Sequence, residues 1–276
     1  FGTGGKASIH FCSNKFATST DCLVAYADDY DRIFPKFYYY FLKHNIHILE
    51  NGFQGAGLKH ISKKYISEIY LPLPPLPEQK RIAAILDKAD ALRRKDEELL
   101  KKYDELAQSI FIDMFGDPVK NEKGWDIEII DNVINKARPI TYGILKPGAN
   151  VKPDGVPYIR VVDIKDNIIL REKVCYTSNE ISNQYKRSLL KKGDLLYSIR
   201  GHVGRSCIVP KHFEGANITQ DTARLDFDIR VKNVFAFGYM NTESFHRLVR
   251  PLIRGAAVKG LNLGDLRELP IPIPDI

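Results

Sequence analysis

The sequence predicts an α+β protein: two related bodies, each with a curved, mostly antiparallel sheet plus helices, joined by one long helix of coiled-coil type. Three observations predict it. Residues 78–115 contain neither glycine nor proline and repeat apolar residues at helical spacing. Short apolar runs divided by turn residues fill the stretch after them. A segment near residue 55 recurs 200 positions later. The expected boundaries are 1–75 for the C-terminal part of a first body, 76–117 for the helix, and 118–276 for a second body.

The first body is expected to hold strands at residues 8–12 and 21–27, then a helix at 33–44 carrying Phe34, Phe37, Tyr38 and Phe41. That aromatic cluster reads as core rather than as a base-stacking surface, because its spacing is helical. Residues 52–57 read as a flexible loop, and 59–73 return to a strand-like alternation.

The long helix opens on Pro77 and Glu78, where a missing N–H costs nothing and a negative charge suits the helix dipole. Ile82, Ile85, Ala89, Leu92, Leu99, Tyr103, Leu106 and Ile110 form a seam at steps of three and four, which predicts packing along another helix. Asp96 interrupts the seam; it either pairs with a basic residue of the partner helix or marks a local break. Gly116-Asp117-Pro118 stops the helix. At 1.5 Å per residue its length is about 55–60 Å, too long for one domain's core helix, so it reads as a spacer.

In the second body, strands are expected at 158–162, 168–170, 195–199, 207–209 and 223–227, with helices around 235–254.

GAGLKHISKKYISEIYLPLP (55–74) aligns without a gap on GAAVKGLNLGDLRELPIPIP (255–274). Gly55/Gly255, Ala56/Ala256, Lys59/Lys259, Glu68/Glu268, Pro72/Pro272 and Pro74/Pro274 are identical, and the apolar positions keep their character. Phe37/Phe237, Tyr39/Tyr239 and Asp21/Asp221 hold the same shift. The shift is too long for a solenoid unit; it describes a domain and spacer used twice. Duplex DNA presents equivalent groove faces about every 34 Å, so two basic bodies on such a spacer suit a target with two half-sites.

The net charge is +7, and it sits in the flanking bodies: +2 in residues 1–77, −2 in 78–117 and +7 in 118–276. A basic body points to a polyanion partner. No apolar run reaches eighteen residues, which argues against a membrane helix, and no signal peptide opens the chain. Cys12, Cys22, Cys175 and Cys207 lack metal-ligand spacing and are expected as reduced, buried small hydrophobes of a cytoplasmic protein.

Catalytic motifs are missing from the sequence. No Asn/Asp-Pro-Pro-Tyr/Phe run or glycine-rich cofactor loop for adenine methylation occurs. Ala7 breaks the phosphate-loop pattern in GTGGKAS, which reads as a turn. GHVG (201–204) has the Gly-x-x-Gly form of single-strand RNA binders but reads as a loop between strands.

Three motifs carry a family resemblance. PLPPLPEQKRIAAILDKADAL resembles the region that opens the spacer helix of type I restriction-modification specificity (S) subunits. KKGDLLYSIRGHVGRSCIVP (191–210) resembles the strand-loop-strand of their target-recognition domain, and GLNLGDLRELPIPIP (260–274) its closing segment. The resemblance implies a non-catalytic reader of double-stranded DNA. In the family each recognition domain reads one half of a split site, and the spacer helices dock two methyltransferase subunits. Those partners carry S-adenosylmethionine, and a restriction and translocase subunit using ATP and Mg²⁺ joins for cleavage; no cofactor or metal is expected in this chain. Against the family pattern the chain enters its first recognition domain partway and stops at Ile276, before a second spacer helix. Self-association through the long helix is therefore also expected as a possible arrangement. A different class of function, a protein-interaction adaptor that dimerises through its helix and does not bind DNA, stands beside this reading.

The expected DNA-contacting residues are basic or amide groups on loops. Arg200, His202 and Arg205 lie around a two-glycine loop that allows close approach to a groove. Arg pairs with guanine in bidentate fashion, and Gln220 suits adenine. For Arg205 an ion pair with Asp221 is the competing reading. Tyr142 and Gly143, with Lys146, resemble the family's loop before its first recognition strand. Arg160 and Lys165 flank a strand and suit phosphate. Lys59 and Lys259 recur in both copies, which favours a shared backbone contact over base reading.

Overall fold

A computed structural model of the chain describes residues 1–2, 6–55, 59–117, 119–152 and 154–274. Residues 3–5 of the glycine-rich opening, Ala56 and Leu58 of the repeat, and Pro118 at the helix stop lie outside the described residues. The chain divides into two compact units, Phe1–Lys102 and Tyr103–Ile276.

The first unit holds α1 (Pro35–His44), α2 (Ile46–Glu50), β1 (Phe53–Gln54), β2 (His60–Ile61), α3 (Lys63–Ser67) and the start of α4 (Leu76–Phe115). Its core is Leu42, Leu49 and Ile61, with Phe41, Ile46, Phe53 and Tyr65 packed around them. The strands expected at 8–12 and 21–27 do not form. That stretch is irregular and mostly exposed, tied by an isolated bridge between Gly2 and Cys22. With no neighbouring strand to take its backbone groups, a β-rich composition does not make a strand. Residues 59–73 are a second correction: after β2 they turn into α3, because Ser62 caps the Tyr65 N–H.

The first part of α4 is held by polar contacts to α1 and the segment before it. Buried Gln79 accepts from the Phe34 N–H at 2.9 Å and donates to the carbonyls of Arg32 (2.9 Å) and Pro74 (2.8 Å). About two and three turns on, Lys36 and Tyr40 each reach Asp87 at 2.6 Å, and Lys43 reaches Asp90 at 3.2 Å. The inward line is therefore buried Gln79 and Ala83 followed by half-buried Asp87 and Asp90, with Ile82 half-buried beside it. The rest of the expected seam faces outward: Leu92 and Tyr103 are 62% and 59% exposed, and Ile85, Ala89, Leu99, Leu106 and Ile110 are exposed as well. The helix runs through Asp96 without a break.

The second unit receives the end of α4. Phe111 and Phe115 pack on Phe235 (ring centroids 5.7 and 5.1 Å), and Phe115 packs on Trp125 (5.8 Å). A side chain at Gly238 would meet the Phe111 ring at 2.5 Å, so the helix end sits directly on the backbone of this unit.

Its strands in order are β3 (Asp126–Ile129), β4 (Thr141–Tyr142), β5 (Val156–Ile159), β6 (Ile164–Lys165), β7 (Ile168–Ile169) and β8 (Cys175–Thr177). After α5 (Asn179–Gln184) come β9 (Leu195–Ser198), β10 (Ser206–Ile208), β11 (Asn217–Ile218) and β12 (Thr222–Leu225). The helices α6 (Asn233–Met240), α7 (Glu243–Val249) and α8 (Leu263–Arg267) lead to β13 (Pro270–Ile273). A four-stranded antiparallel sheet, β10-β9-β12-β4, lies at the centre, and a three-stranded sheet, β11-β5-β8, carries the parallel pair β11/β5.

The central sheet is buried on both faces. Leu195, Tyr197, Ala223 and Leu225 join α6 and α7 in one core, whereas Leu196 and Cys207 point into a second core with Ile159, Ile164 and Ile218. That alternation is the two-residue period of a strand. Cysteine burial departs from expectation: Cys207 is buried, its thiol pushed up to about 12 by desolvation, but Cys12 and Cys22 are exposed and Cys175 is half-buried. Among the described residues no cluster of metal-ligating side chains occurs, and no helix is long and apolar enough to cross a membrane.

The repeat is structural as well as sequential. Gln54 pairs with His60, and Arg254 bridges Gly260 at the same offset of 200. Gly55 and Gly255 both take positive φ, 134° and 111°. Helices α3 and α8 are capped by Ser62 and Asn262 and end on Glu68 and Glu268. Beyond them the copies differ, since Pro270–Ile273 pairs with β3 whereas 70–73 forms no strand.

Candidate nucleic-acid interface

One end of the central sheet gathers four loops. Strand β4 leaves the sheet after Tyr142, β9 after Ser198, and β12 enters at Thr222. Backbone bonds stitch the loops to one another. Gly143 N–H donates to the Thr219 carbonyl (3.2 Å), and Gln220 N–H to that of Ile144 (3.0 Å). Ile199 and Arg200 both donate to the Asp221 carbonyl (2.8 and 3.3 Å), and Gly201 donates to that of Lys259 (2.9 Å). The β9–β10 loop is further pinned by Ser198, whose hydroxyl donates to the His202 carbonyl (2.5 Å) and accepts from the Arg205 N–H (2.7 Å). Gly201 and Gly204 turn it with φ of 72° and 100°, a conformation that favours glycine.

This frame presents Tyr142, Lys146, Arg200, His202 and Lys259 as exposed side chains, with Gln220 half-buried among them. Among the described residues the side chains of Arg200, His202, Gln220 and Lys259 make no hydrogen bond or ion pair, so their donors remain available.

Three expected residues are used otherwise. Arg160 grips the buried carboxylate of Asp163 through Nε (3.0 Å) and Nη2 (2.8 Å), and donates to the Lys173 carbonyl. It is a structural clamp, not a free phosphate donor. Arg205 neither faces outward nor pairs with Asp221; its Nη1 donates to the carbonyls of Val161 (3.2 Å) and Ile164 (3.1 Å). Gly143 is buried, and a Cβ there would stand 1.9 Å from the Ile218 carbonyl oxygen, so strand packing requires that glycine. Lys165 is exposed beside Asp166 at 3.8 Å, and Lys59 is an exposed residue of the first unit.

Sequence reasoning missed Arg254. It is exposed at the base of the 255–259 loop, with only a long contact to Asp265 at 3.7 Å. Its position immediately before the repeated Gly255 was the available signal.

The family model for the type I restriction modification DNA specificity domain matches residues 1–102 and 122–276. The chain is 29% identical over 272 residues to the type I restriction enzyme EcoBI specificity subunit of Escherichia coli, covering 89% of this chain and 56% of that protein. It is 24% identical over 255 residues to the MjaVIII specificity subunit of Methanocaldococcus jannaschii, covering 86% of this chain and 59% of that protein. A solved HsdS subunit from Thermoanaerobacter tengcongensis aligns at 20% identity and TM-score 0.45, over 88% of this chain and 59% of that one. The chain thus spans less than two thirds of the length of these relatives. It belongs to the type I restriction modification DNA specificity domain family.

Proposed function

We propose that this chain is a sequence-specific DNA-binding specificity subunit of a type I restriction-modification complex, reading half of a bipartite site without doing chemistry itself. The observation that carries the reading is the loop cluster, where Arg200, His202, Gln220 and Lys259 hold unspent donors on a backbone frame fixed by hydrogen bonds. Fixed loops with free donors suit base-edge and phosphate contacts, because little side-chain scaffolding has to rearrange on binding. The cytoplasm is the compartment this role requires.

The outward apolar stripe of α4 supports docking by a helix of a methyltransferase subunit or of a second copy of this chain. S-adenosylmethionine, ATP and Mg²⁺ then belong to the methyltransferase and restriction subunits. The test is methylation-site mapping with the cognate methyltransferase subunits. Arg200→Ala is expected to lose or relax one half-site while the complex still assembles; normal methylation of that half-site by the variant overturns the assignment.

A further inference from the structure

The loop cluster holds one acidic side chain among its cations. Asp221 follows Gln220 in the turn that enters β12, and its carbonyl accepts from the backbone N–H groups of Ile199 (2.8 Å) and Arg200 (3.3 Å). On the other side of the turn, Gln220 N–H donates to the Ile144 carbonyl (3.0 Å), and Thr222 begins the pairing with Ser198. Asp221 is therefore fixed at the root of the loop that carries Arg200 and His202.

Its carboxylate is unclaimed. Arg205, the cation that the sequence offers it, donates instead to the carbonyls of Val161 and Ile164. Among the described residues the Asp221 carboxylate makes no ion pair and no hydrogen bond, although Arg200 shares its backbone frame. Nor is it sealed inside. The buried unpartnered side-chain atoms of this turn are Thr219 Oγ1 and Thr222 Oγ1, whereas Asp221 is half-buried and its oxygens keep access to solvent.

A free carboxylate is a poor choice for a surface that only has to hold phosphate. Beside Lys146, Arg200, His202 and Lys259 it subtracts from the attraction that serves every sequence alike. What it adds is selectivity, because an ionised carboxylate only accepts hydrogen bonds. In the major groove cytosine N4 and adenine N6 donate, whereas guanine O6 and N7 and thymine O4 accept and would be repelled. Arg200, whose N–H groups only donate, prefers guanine, so the two side chains place opposite demands on bases within reach of one frame.

We propose that Asp221 is a specificity-determining residue of this surface. Its carboxylate accepts from the exocyclic amino group of a cytosine or adenine and rejects guanine and thymine at that position. The proposal rests on the DNA-reading assignment of the loop cluster and names the base chemistry that one of its side chains selects.

The test is selection of duplexes by the full chain from a pool of random sequence, with the bound fraction sequenced. The parent is expected to enrich cytosine or adenine at one position. Asp221→Asn, whose amide both accepts and donates, should lose the preference there and keep those at other positions. Its affinity for unrelated duplexes should rise rather than fall, since a negative charge leaves the interface. Duplexes built on the enriched sequence then identify the group. Replacing the selected cytosine by 2-pyrimidinone, or the selected adenine by purine, removes the amino group alone and should weaken parent binding by about tenfold. This arm needs no variant, so it decides the matter if Asp221→Asn melts below the parent. An unchanged preference in Asp221→Asn, or equal parent binding to the analogue duplex, overturns the proposal alone. A parent that enriches no sequence overturns the DNA-reading assignment and the proposal with it.

Discussion

The backbone N–H of Gly201 donates to the carbonyl oxygen of Lys259 at 2.9 Å, fastening the tip of the β9–β10 loop to the loop of the 200-residue repeat. Two segments far apart in sequence thereby become one surface. Which side chains on that surface can meet a ligand depends on which are still free.

That distinction separates Arg200 from Arg205. Arg200→Ala is expected to weaken duplex binding by about tenfold or more with an unchanged melting temperature. Arg205→Ala is expected to lower the melting temperature, because it strands the carbonyls of Val161 and Ile164. Paired gel-shift and thermal-melt measurements check both; a stable Arg205→Ala protein with lost binding would reverse the assignment.

Salt dependence gives an independent reading of the lysine. If Lys259 meets a phosphate, Lys259→Ala should weaken binding evenly across sequences and reduce the slope of log affinity against log salt by about 1. Titrations at several salt concentrations on two unrelated duplexes measure it.

Gly143→Ala should destabilise the second unit by about 3 kcal/mol or more, since the new methyl group would overlap the Ile218 carbonyl and the strand cannot give way locally. Denaturant melts would show the loss. A variant as stable as the parent would mean that β4 and β11 are not packed this closely.

Arg138→Met should cost about 3–5 kcal/mol, because Asp194, with its side chain 2% exposed, would keep a buried charge without its bidentate partner. Replacing Asp194 by Asn in the same variant should recover part of the loss, which a double-mutant cycle would quantify.

Acid should loosen the first unit only below about pH 4. Hydrogen bonds from Arg93, Lys43 and Arg94 hold the Asp90 carboxyl down to about 2. At Asp87, burial acts upward, but the bonds from Lys36 and Tyr40 outweigh it and the pKa falls. A carboxylate depressed on folding stabilises fully above its unfolded value, about 3.9, and loses that contribution as pH falls through the folded value. Helix content followed by circular dichroism should therefore drop between about pH 4 and pH 2, and less so in Asp90→Asn.

Local patterning accounts for what the sequence determined. The helix Leu76–Phe115 and five strands of the second unit, Val156–Ile159, Ile168–Ile169, Leu195–Ser198, Ser206–Ile208 and Thr222–Leu225, rest on short-range rules: residue spacing, terminal residues and turn residues between apolar runs. The failed strands at 8–12 and 21–27 mark the limit of those rules, since a strand needs a partner that the local sequence does not name. The fates of the arginines were likewise beyond the sequence. Arg160, Arg205 and Arg224 are all basic residues at or near strand ends, yet Asp163, the Val161 and Ile164 carbonyls, and the Pro139 and Arg187 carbonyls capture them. Arg200 keeps its donors free because the β9–β10 loop carries it past the sheet edge. Arg205 and Arg224 meet carbonyls 37 to 85 residues away in sequence, so only the tertiary structure decided which cations serve the scaffold and which remain for a ligand.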